Sequence, residues 1–348
     1  MSKNILNIAV IGCSKAMGQV HMDGLRDVDG INLYAVCDTA RDNRLVEAKE
    51  KYGAEVAVKD YKELLNDDKV DAVIIVTPDE THCEMVCDFL HAGKDVLCEK
   101  PMALRLSECE KMIRVEKETG RKLMIGQICR FTDNFIKAKQ LVDEGRIGEL
   151  YFVESEYAHN YRNARGYDDW RVTPERDGFI GGGCHAVDLL RWIAGDPTEV
   201  YALANHKCLT DWPTNDCTVA LYKFPNNVSG KVFVSTGCKR PYTMRSVFYG
   251  TMGTIICDNT SDHITLYEDN EKEGKTHWHE VDGGEIIPVT VNNHNTGGEA
   301  QMFIQALLEN KDVPITSMEG AKTVAVACAT VQSAKENRPV IIKYPETH

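Results

Sequence analysis

The sequence predicts an α/β protein in two parts: an N-terminal doubly wound parallel sheet, then an α+β domain on a large, mostly antiparallel open sheet. Three observations carry this. The chain has 348 residues, more than one domain at about 150 residues per domain. Its first third alternates short β-rich runs with helical patterns, the sign of βαβ units and a sheet buried on both faces. After about residue 128 the runs lengthen and alternate apolar with polar residues, the sign of a sheet with one solvated face.

The strands expected in the first part are Ile8 to Ile11, Leu33 to Cys37, Val56 to Val58, Ala72 to Val76, Asp95 to Cys98 and Lys122 to Gly126. Helices between them carry end signals. Thr81 with Glu84 and Ser107 with Glu110 match the S/T-x-x-E capping box, and Gly93 and Gly120 sit where a left-handed residue closes a helix. In the second part, strands are expected at Glu149 to Tyr157, Cys217 to Phe224, Gly230 to Thr236 and Arg245 to Tyr249, with Pro225-Asn226-Asn227 as a turn. Helices follow at His185 to Ala194, closed by Gly195, at Glu299 to Asn310 and at Met318 to Asn337, then a last strand, Val340 to Tyr344. The expected division is 1–127 and 128–348.

Charge and composition exclude several classes of function. With 40 Lys and Arg against 53 Asp and Glu, the net charge is −13, which argues against nucleic acid and anionic membranes as partners. The apolar runs are strand-length and fall far short of the roughly 20 residues that cross a bilayer. The N-terminus shows no secretory signal pattern. Thirteen cysteines, an odd number with no C-x-x-C pair, argue against a disulfide scaffold or a thiolate zinc site. Cys37, Cys87, Cys98 and Cys217 lie within apolar patterns, where a thiol acts as a small hydrophobe. A reducing cytoplasm is the expected compartment. His277-Trp278-His279 offers two imidazoles beside an acidic stretch, Glu268 to Glu273, and is read as strand and hairpin tip; no metal is expected.

The first strand runs into Gly12-Cys13-Ser14-Lys15-Ala16-Met17-Gly18, followed by a helical pattern, the setting of a dinucleotide-binding fingerprint and so of a Rossmann fold. Glycines let the backbone turn tightly and approach a pyrophosphate, which helix N–H groups then meet. Ser14 stands where the second glycine is usual and the last glycine comes one residue late, so the loop is one residue longer than the standard pattern. Asp38 follows the second strand, 26 residues beyond Gly12, where a carboxylate accepts from both ribose hydroxyls and repels a 2′-phosphate. NAD is therefore expected over NADP, with Arg41 partly offsetting the repulsion.

Three further clusters point one way: Thr77-Pro78-Asp79-Glu80-Thr81-His82, Glu99-Lys100-Pro101, and Gly181-Gly182-Gly183-Cys184-His185-Ala186-Val187-Asp188. Together with the Gly250-Thr251-Met252-Gly253 turn, they make the chain resemble the glucose-fructose oxidoreductase / inositol dehydrogenase / rhizopine catabolism (Gfo/Idh/MocA) family over nearly its whole length. The resemblance implies NAD(P)-dependent hydride transfer at a secondary hydroxyl or carbonyl of a sugar, cyclitol or related polyol. It implies a Rossmann domain, here 1–127, and an α/β domain, here 128–348, that binds substrate and whose open sheet mediates homo-oligomerisation, as a dimer or tetramer. The chain departs from the family in one respect: many members carry an Asp four residues before the catalytic histidine, and Gly181 stands there.

Removing a hydride from an alcohol requires a group to take the hydroxyl proton, a task for a positioned imidazole, and His185 is the candidate. Asp188, three positions on along the helix, is the nearest acid to support it and to contact substrate. Lys100, at the carboxyl edge of the sheet, is expected to polarise the reacting oxygen and share proton transfer. The resemblance places Thr77, Pro78 and His82 along the cofactor's path; capping and turn roles are the other reading of these residues. Glu99 is expected to fix its loop or the nicotinamide ribose. With Gly12, Ser14, Lys15, Ala16, Met17, Asp38, Arg41 and Lys100 these form the expected cofactor site. Arg130, His159, Tyr161, Trp170 and Arg171 are candidates to line a polyol pocket, because sugars are held by polar donors and an aromatic face.

The leading expectation is a dehydrogenase or reductase acting on a sugar, cyclitol or glycoside, with the 3-position of a glucoside one candidate target. Two alternatives differ in class. One is an NAD-dependent glycosidase or lyase that oxidises the ring only transiently. The other is a non-catalytic dinucleotide-binding regulator, against which the presence of both Lys100 and His185 argues.

Overall fold

The computed structural model describes residues 4–13, 17–39, 43–165, 169–268 and 284–346. The chain divides into two compact units. The first comprises Met1–Ile128, Asn295–Ala325 and Tyr344–His348; the second comprises Cys129–His294 and Val326–Lys343. The structure thus differs from a single division at 127/128, because two later segments return to the first unit.

In the first unit, β1 (Leu6–Ile11), β2 (Ile31–Cys37), β3 (Val56–Val58), β4 (Ala72–Ile75), β5 (Asp95–Glu99) and β6 (Leu123–Gly126) form a six-stranded sheet. Its order is β3-β2-β1-β4-β5-β6 and every pairing is parallel, the doubly wound arrangement with its reversal between β1 and β4. The apolar runs that predict these strands are fully covered: Ile8, Ala9, Val10 and Ala72 to Ile75 have no more than trace exposure. Helices α1 (Met17–Gly24), α2 (Arg44–Tyr52), α3 (Lys62–Leu65), α4 (His82–His91) and α5 (Leu106–Thr119) connect them. Gly93 and Gly120 adopt φ +76° and +64°, the left-handed stops that the sequence signals.

Both expected capping boxes are replaced. A 3₁₀ turn, Asp79–Thr81, precedes α4, so Thr81 is already in right-handed backbone and its hydroxyl donates to Pro78 O at 2.8 Å instead of capping the helix. Helix α5 starts before Ser107, and Glu108 rather than Glu110 folds back: its carboxylate accepts from the Arg105 backbone N–H and guanidinium, both at 3.1 Å.

The second unit is built on a nine-stranded sheet: β7 (Leu150–Ala158), β8 (Glu199–Asn205), β9 (Cys217–Lys223), β10 (Ser229–Ser235), β11 (Arg245–Gly250), β12 (Gly253–Asp258), β13 (His263–Glu268), β14 (Glu285–Pro288) and β15 (Val340–Ile341). The order is β14-β13-β12-β11-β7-β10-β9-β8-β15, and only β10 beside β7 is parallel. Alternation sorts the faces: Thr218, Ala220 and Tyr222 of β9 are buried while Leu221 is exposed. Asn226 and Asn227 take φ near +60° in the expected turn before β10. The buried face is covered by α6 (Asp133–Asp143), α7 (Gly178–Gly181) and α8 (Cys184–Ala194).

The return to the first unit is made by α9 (Thr296–Leu308), which packs on α1 at a point where neither backbone tolerates a side chain. A Cβ on Gly24 would lie 2.7 Å from Gly297 N, and one on Gly297 would lie 2.9 Å from Gly24 O. Helix α10 (Ser317–Glu336) gives its residues through Ala325 to the first unit and the rest to the second. No helix among the described residues is long and apolar enough to cross a membrane, and all thirteen cysteines are free thiols.

Candidate active site

The turn after β1 requires glycine at two points. Gly12 has φ +92°, donates its N–H to Cys37 O at 2.8 Å, and a Cβ there would lie 2.6 Å from Val76 O. A Cβ on Gly18 would lie 2.0 Å from Gly12 O. The start of α1, from Met17, is therefore pressed against the turn, the close helix–strand approach that a pyrophosphate site needs. Asp38 follows β2 with its N–H on Val58 O at 3.3 Å. Burial, with Asp38's charge second, pushes the Cys13 thiol up to about 12, which puts that carboxylate's field on the glycine turn. A cradle that any Cβ would fill, with an acid at the end of the second strand, fits NAD. Ser14, Lys15, Ala16 and Arg41 lie outside the described residues, as does His277-Trp278-His279.

The loops after β4 and β5 are tied together by an imidazole. His82 is 1 % exposed; its Nδ1 lies 2.9 Å from Pro101 O and its Nε2 3.0 Å from Thr77 O. His82 also has a structural task. Both ring nitrogens face backbone carbonyls, so the ring acts as a strut between Thr77-Pro78 and the Lys100 loop. The Thr77 hydroxyl bonds that of Thr81 at 2.7 Å, steadying the first of these loops.

Glu99 ends β5 and is almost fully buried. One oxygen lies 2.7 Å from His21 Nε2 of α1 and the other accepts the backbone N–H of Lys100 at 2.9 Å. Burial alone would raise its pKa, but the hydrogen bond from His21, with the charge and backbone N–H of Lys100, outweighs that and holds Glu99 at about 2. Of the two roles expected for Glu99, fixing the loop is the one these contacts perform. Lys100 follows, half-buried, through a cis peptide to Pro101.

The second unit builds its candidate residues differently. His185 stands in the first turn of α8 and is 2 % exposed. Its Nδ1 lies 3.6 Å from Cys129 Sγ, and its ring stacks on Tyr157 at 5.8 Å and 20°. The Tyr157 hydroxyl is 3.0 Å from both His159 Nδ1 and the Tyr161 hydroxyl, so two expected pocket residues connect to His185 through a tyrosine that sequence reasoning did not single out. Burial keeps the phenols of Tyr157 and Tyr242 neutral, well above the usual tyrosine range. Tyr242 lies 4.7 Å from the His159 ring and stacks on His294 at 5.5 Å. The Trp170 ring lies beneath two guanidinium groups, Arg171 at 4.1 Å and Arg176 at 4.8 Å.

Asp188, expected to support His185, has other partners. It is fully buried and held in a fork by Arg130, Nε to Oδ2 at 2.9 Å and Nη2 to Oδ1 at 2.7 Å, with Arg191 at 3.8 Å. A carboxylate without solvent needs cations, and two surround it. Arg130, expected to donate to substrate, spends those two N–H groups inside the protein.

The glycine triplet is tightly enclosed. A Cβ on Gly182 would lie 2.5 Å from the Tyr157 ring, and one on Gly183 would lie 2.6 Å from Phe179 O. At Gly181, where many family members carry Asp, it would lie 2.5 Å from the Arg176 guanidinium. The triplet makes room for neighbouring protein groups, and a buried cation fills the space in which the resemblance implies a carboxylate. Tyr157 had a faint signal, the alternation Tyr157-x-His159-x-Tyr161. Cys129, Arg176, Tyr242 and His294 had none.

Residues 6–127 match the family model described as the oxidoreductase family with NAD-binding Rossmann fold, and residues 135–256 match the GFO/IDH/MocA C-terminal domain. The chain is 27% identical to myo-inositol 2-dehydrogenase of Thermotoga maritima over 342 residues, 96% of this chain and 98% of that one. It is 32% identical to inositol 2-dehydrogenase 2 of Saccharopolyspora erythraea over 269 residues, 76% of each. Among solved structures, levoglucosan dehydrogenase in complex with NADH shares the fold, with a TM-score of 0.86 at 20% identity, covering 98% of this chain and 100% of that one. The glycine cradle, the acid after β2, the two matched domains and these relatives agree: the chain belongs to the Gfo/Idh/MocA family and is an NAD-binding oxidoreductase.

Proposed function

We propose that the chain interconverts a secondary hydroxyl and a carbonyl on a sugar, cyclitol or glycoside, with Lys100 and His185 handling the proton. NAD, when bound, accepts or returns the hydride. Gly12, Gly18 and Asp38 hold the cofactor, and the Asp38 charge favours NAD over NADP. The Lys100 ammonium hydrogen-bonds the reacting oxygen and stabilises its developing negative charge. The His185 imidazole takes the hydroxyl proton in the oxidising direction and gives it back in the other. His159, Tyr161, Trp170 and Arg171 supply the polar donors and aromatic face that a polyol needs. Asp188, in α8, and Arg130 act at one remove by fixing each other.

The observation that carries this reading is the anchoring of Lys100, whose backbone is bound by a buried carboxylate held ionised by His21. A surface lysine with no task would not require it. The relatives named inositol 2-dehydrogenase make cyclitols the first substrates to try. We further propose a homo-oligomer through the outward sheet face, where Leu203 and Leu221 are 52% and 54% exposed, in a reducing cytoplasm that keeps the thiols free.

The test is NADH formation against a panel of inositols, aldoses and glycosides. Turnover with one of them, lost in Lys100→Ala, is the expected result. Cleavage of a glycoside with no net NADH would replace this reading with the transient-oxidation one, and tight NADH binding without any turnover would refute an enzymatic role.

A further inference from the structure

Beneath the Lys100 loop lies an almost fully buried cluster, within the first unit. His21 on α1, Glu99 at the end of β5 and Glu299 in the first turn of α9 are 1%, 6% and 0% exposed, and one ligand-type atom from each lies within 4.8 Å of the others. Glu99 has a donor on each oxygen. Glu299 has none on either oxygen, and Nδ1 of His21 also lacks a partner. The fold makes room for the Glu299 carboxyl: a Cβ on Gly126, the last residue of β6, would lie 2.9 Å from its Oε1 and 3.4 Å from Glu99 Cα. The α1 and α9 backbones meet at Gly24 and Gly297, and the Thr296 hydroxyl donates to Val20 O at 3.1 Å, which fixes Glu299 opposite His21.

A buried carboxylate beside a second one, with no donor aimed at it, is a high-energy arrangement; the same group protonated is an O–H donor. His21 in the tautomer that donates from Nε2 to Glu99 presents Nδ1 as an acceptor. The two orphaned groups are therefore complementary, bonded directly or through a buried water. We propose that Glu299, as the neutral acid, and His21 are positioning residues: they hold Glu99 as the one anion of the cluster, and Glu99 in turn sets the backbone of Lys100. This rests on the reading of Lys100 as the group that polarises the substrate.

The titratable groups facing Glu299 are Glu99 from β5, His21 from α1 and the Lys100 ammonium from the following loop. Burial first, and the Glu99 charge second, push Glu299 well above the usual carboxylate range, while Lys100 opposes. A divalent cation on the same three residues would need both carboxylates ionised beside Lys100.

Two variants of the holoenzyme and two readouts test this. Glu299→Gln keeps the shape and a donor without an ionisable proton; Glu299→Ala removes both. With whichever polyol is turned over, Gln should keep kcat within about threefold, and Ala should lower it roughly 10- to 100-fold with KM for NAD unchanged. Unfolding measured from pH 5 to 9 needs no substrate. The native state binds a proton at Glu299 that the unfolded chain releases, so wild-type stability should fall with rising pH relative to Glu299→Gln. Parallel pH curves, or a Gln variant as impaired as Ala, would overturn the inference. So would a stoichiometric divalent metal whose removal by dialysis against a chelator abolishes turnover. Diverging curves with full turnover in Lys100→Ala would overturn only the role of Lys100.

Discussion

The Lys100 loop and the His185 turn are fixed by opposite means. Lys100 is held through charge: a carboxylate with an imidazole on one oxygen and the lysine's own N–H on the other. His185 is held through shape: three glycines admit a guanidinium, two tyrosines and a backbone carbonyl, and the imidazole stacks on one of those tyrosines. The difference suits the two side chains. An ammonium on a four-carbon stem has many rotamers, and tethering its backbone to a buried ion limits where it can reach. An imidazole has few rotamers, and close packing is enough to hold it.

The largest effect expected is on turnover. Lys100→Ala and His185→Ala should each lower kcat/KM by about 10²- to 10⁴-fold, with thermal unfolding little changed in the Lys100 variant. If only one does so, the sharing of proton transfer between charge-held and shape-held groups fails, and the surviving member acts alone.

Next comes the charge-held side. Glu99→Ala leaves His21 and the Lys100 N–H facing an empty site and should cost about 3–5 kcal/mol by denaturant unfolding. Its pH dependence has a definite sign. The folded pKa of Glu99 is depressed to about 2 from an ordinary 4.5, so its contribution is present above 4.5 and lost as pH falls toward 2. Glu99→Gln should therefore differ most from wild type at neutral pH and converge with it in acid. A constant difference across that window would mean that shape, not charge, holds this loop as well.

The shape-held side predicts a ranking. Gly183→Ala sets a Cβ against the Phe179 carbonyl and should destabilise by about 1–3 kcal/mol. Gly181→Ala meets the end of the Arg176 side chain, which can shift, and should cost less. Equal costs would show that Arg176 is locked as firmly as backbone. The smallest effect is at the cofactor: Asp38→Ala should weaken NAD about tenfold by removing a charged acceptor, and narrow its preference over NADP. Tighter NADP than NAD binding in the wild type would reverse that assignment.

Much of the fold was legible because its signals are local. The first-unit strands follow from apolar runs bounded by turn residues, and Gly93 and Gly120 close helices as their positions imply. The capping boxes at Thr81 and Ser107 did not form, because nearby alternatives, a 3₁₀ turn and Glu108, competed for the same N–H groups. In the second unit, β8 and β12 to β14 were not singled out; β14 is a four-residue edge strand ending in Pro288, which offers little alternation to read. Glu99-Lys100-Pro101 and Gly181 to Asp188 mark both loops, yet their partners lie far along the chain. Nothing within reach of Asp188 in sequence indicates Arg130, and Glu299 sits in an ordinary amphipathic pattern two hundred residues from Glu99.

By itself the sequence determined the doubly wound sheet, the glycine turn with Asp38 at the next strand's end, and the two loops that carry Lys100 and His185. These depend on periodicity and on backbone conformations that only certain residues allow, and neighbours in the chain decide both. The tertiary structure alone decided which charges are neutralised by which, that Arg176 fills the space at Gly181, and that α9 returns Glu299 beneath the Lys100 loop. Burial and pairing of polar groups depend on what packing brings within about 3 Å, and sequence separation does not limit that.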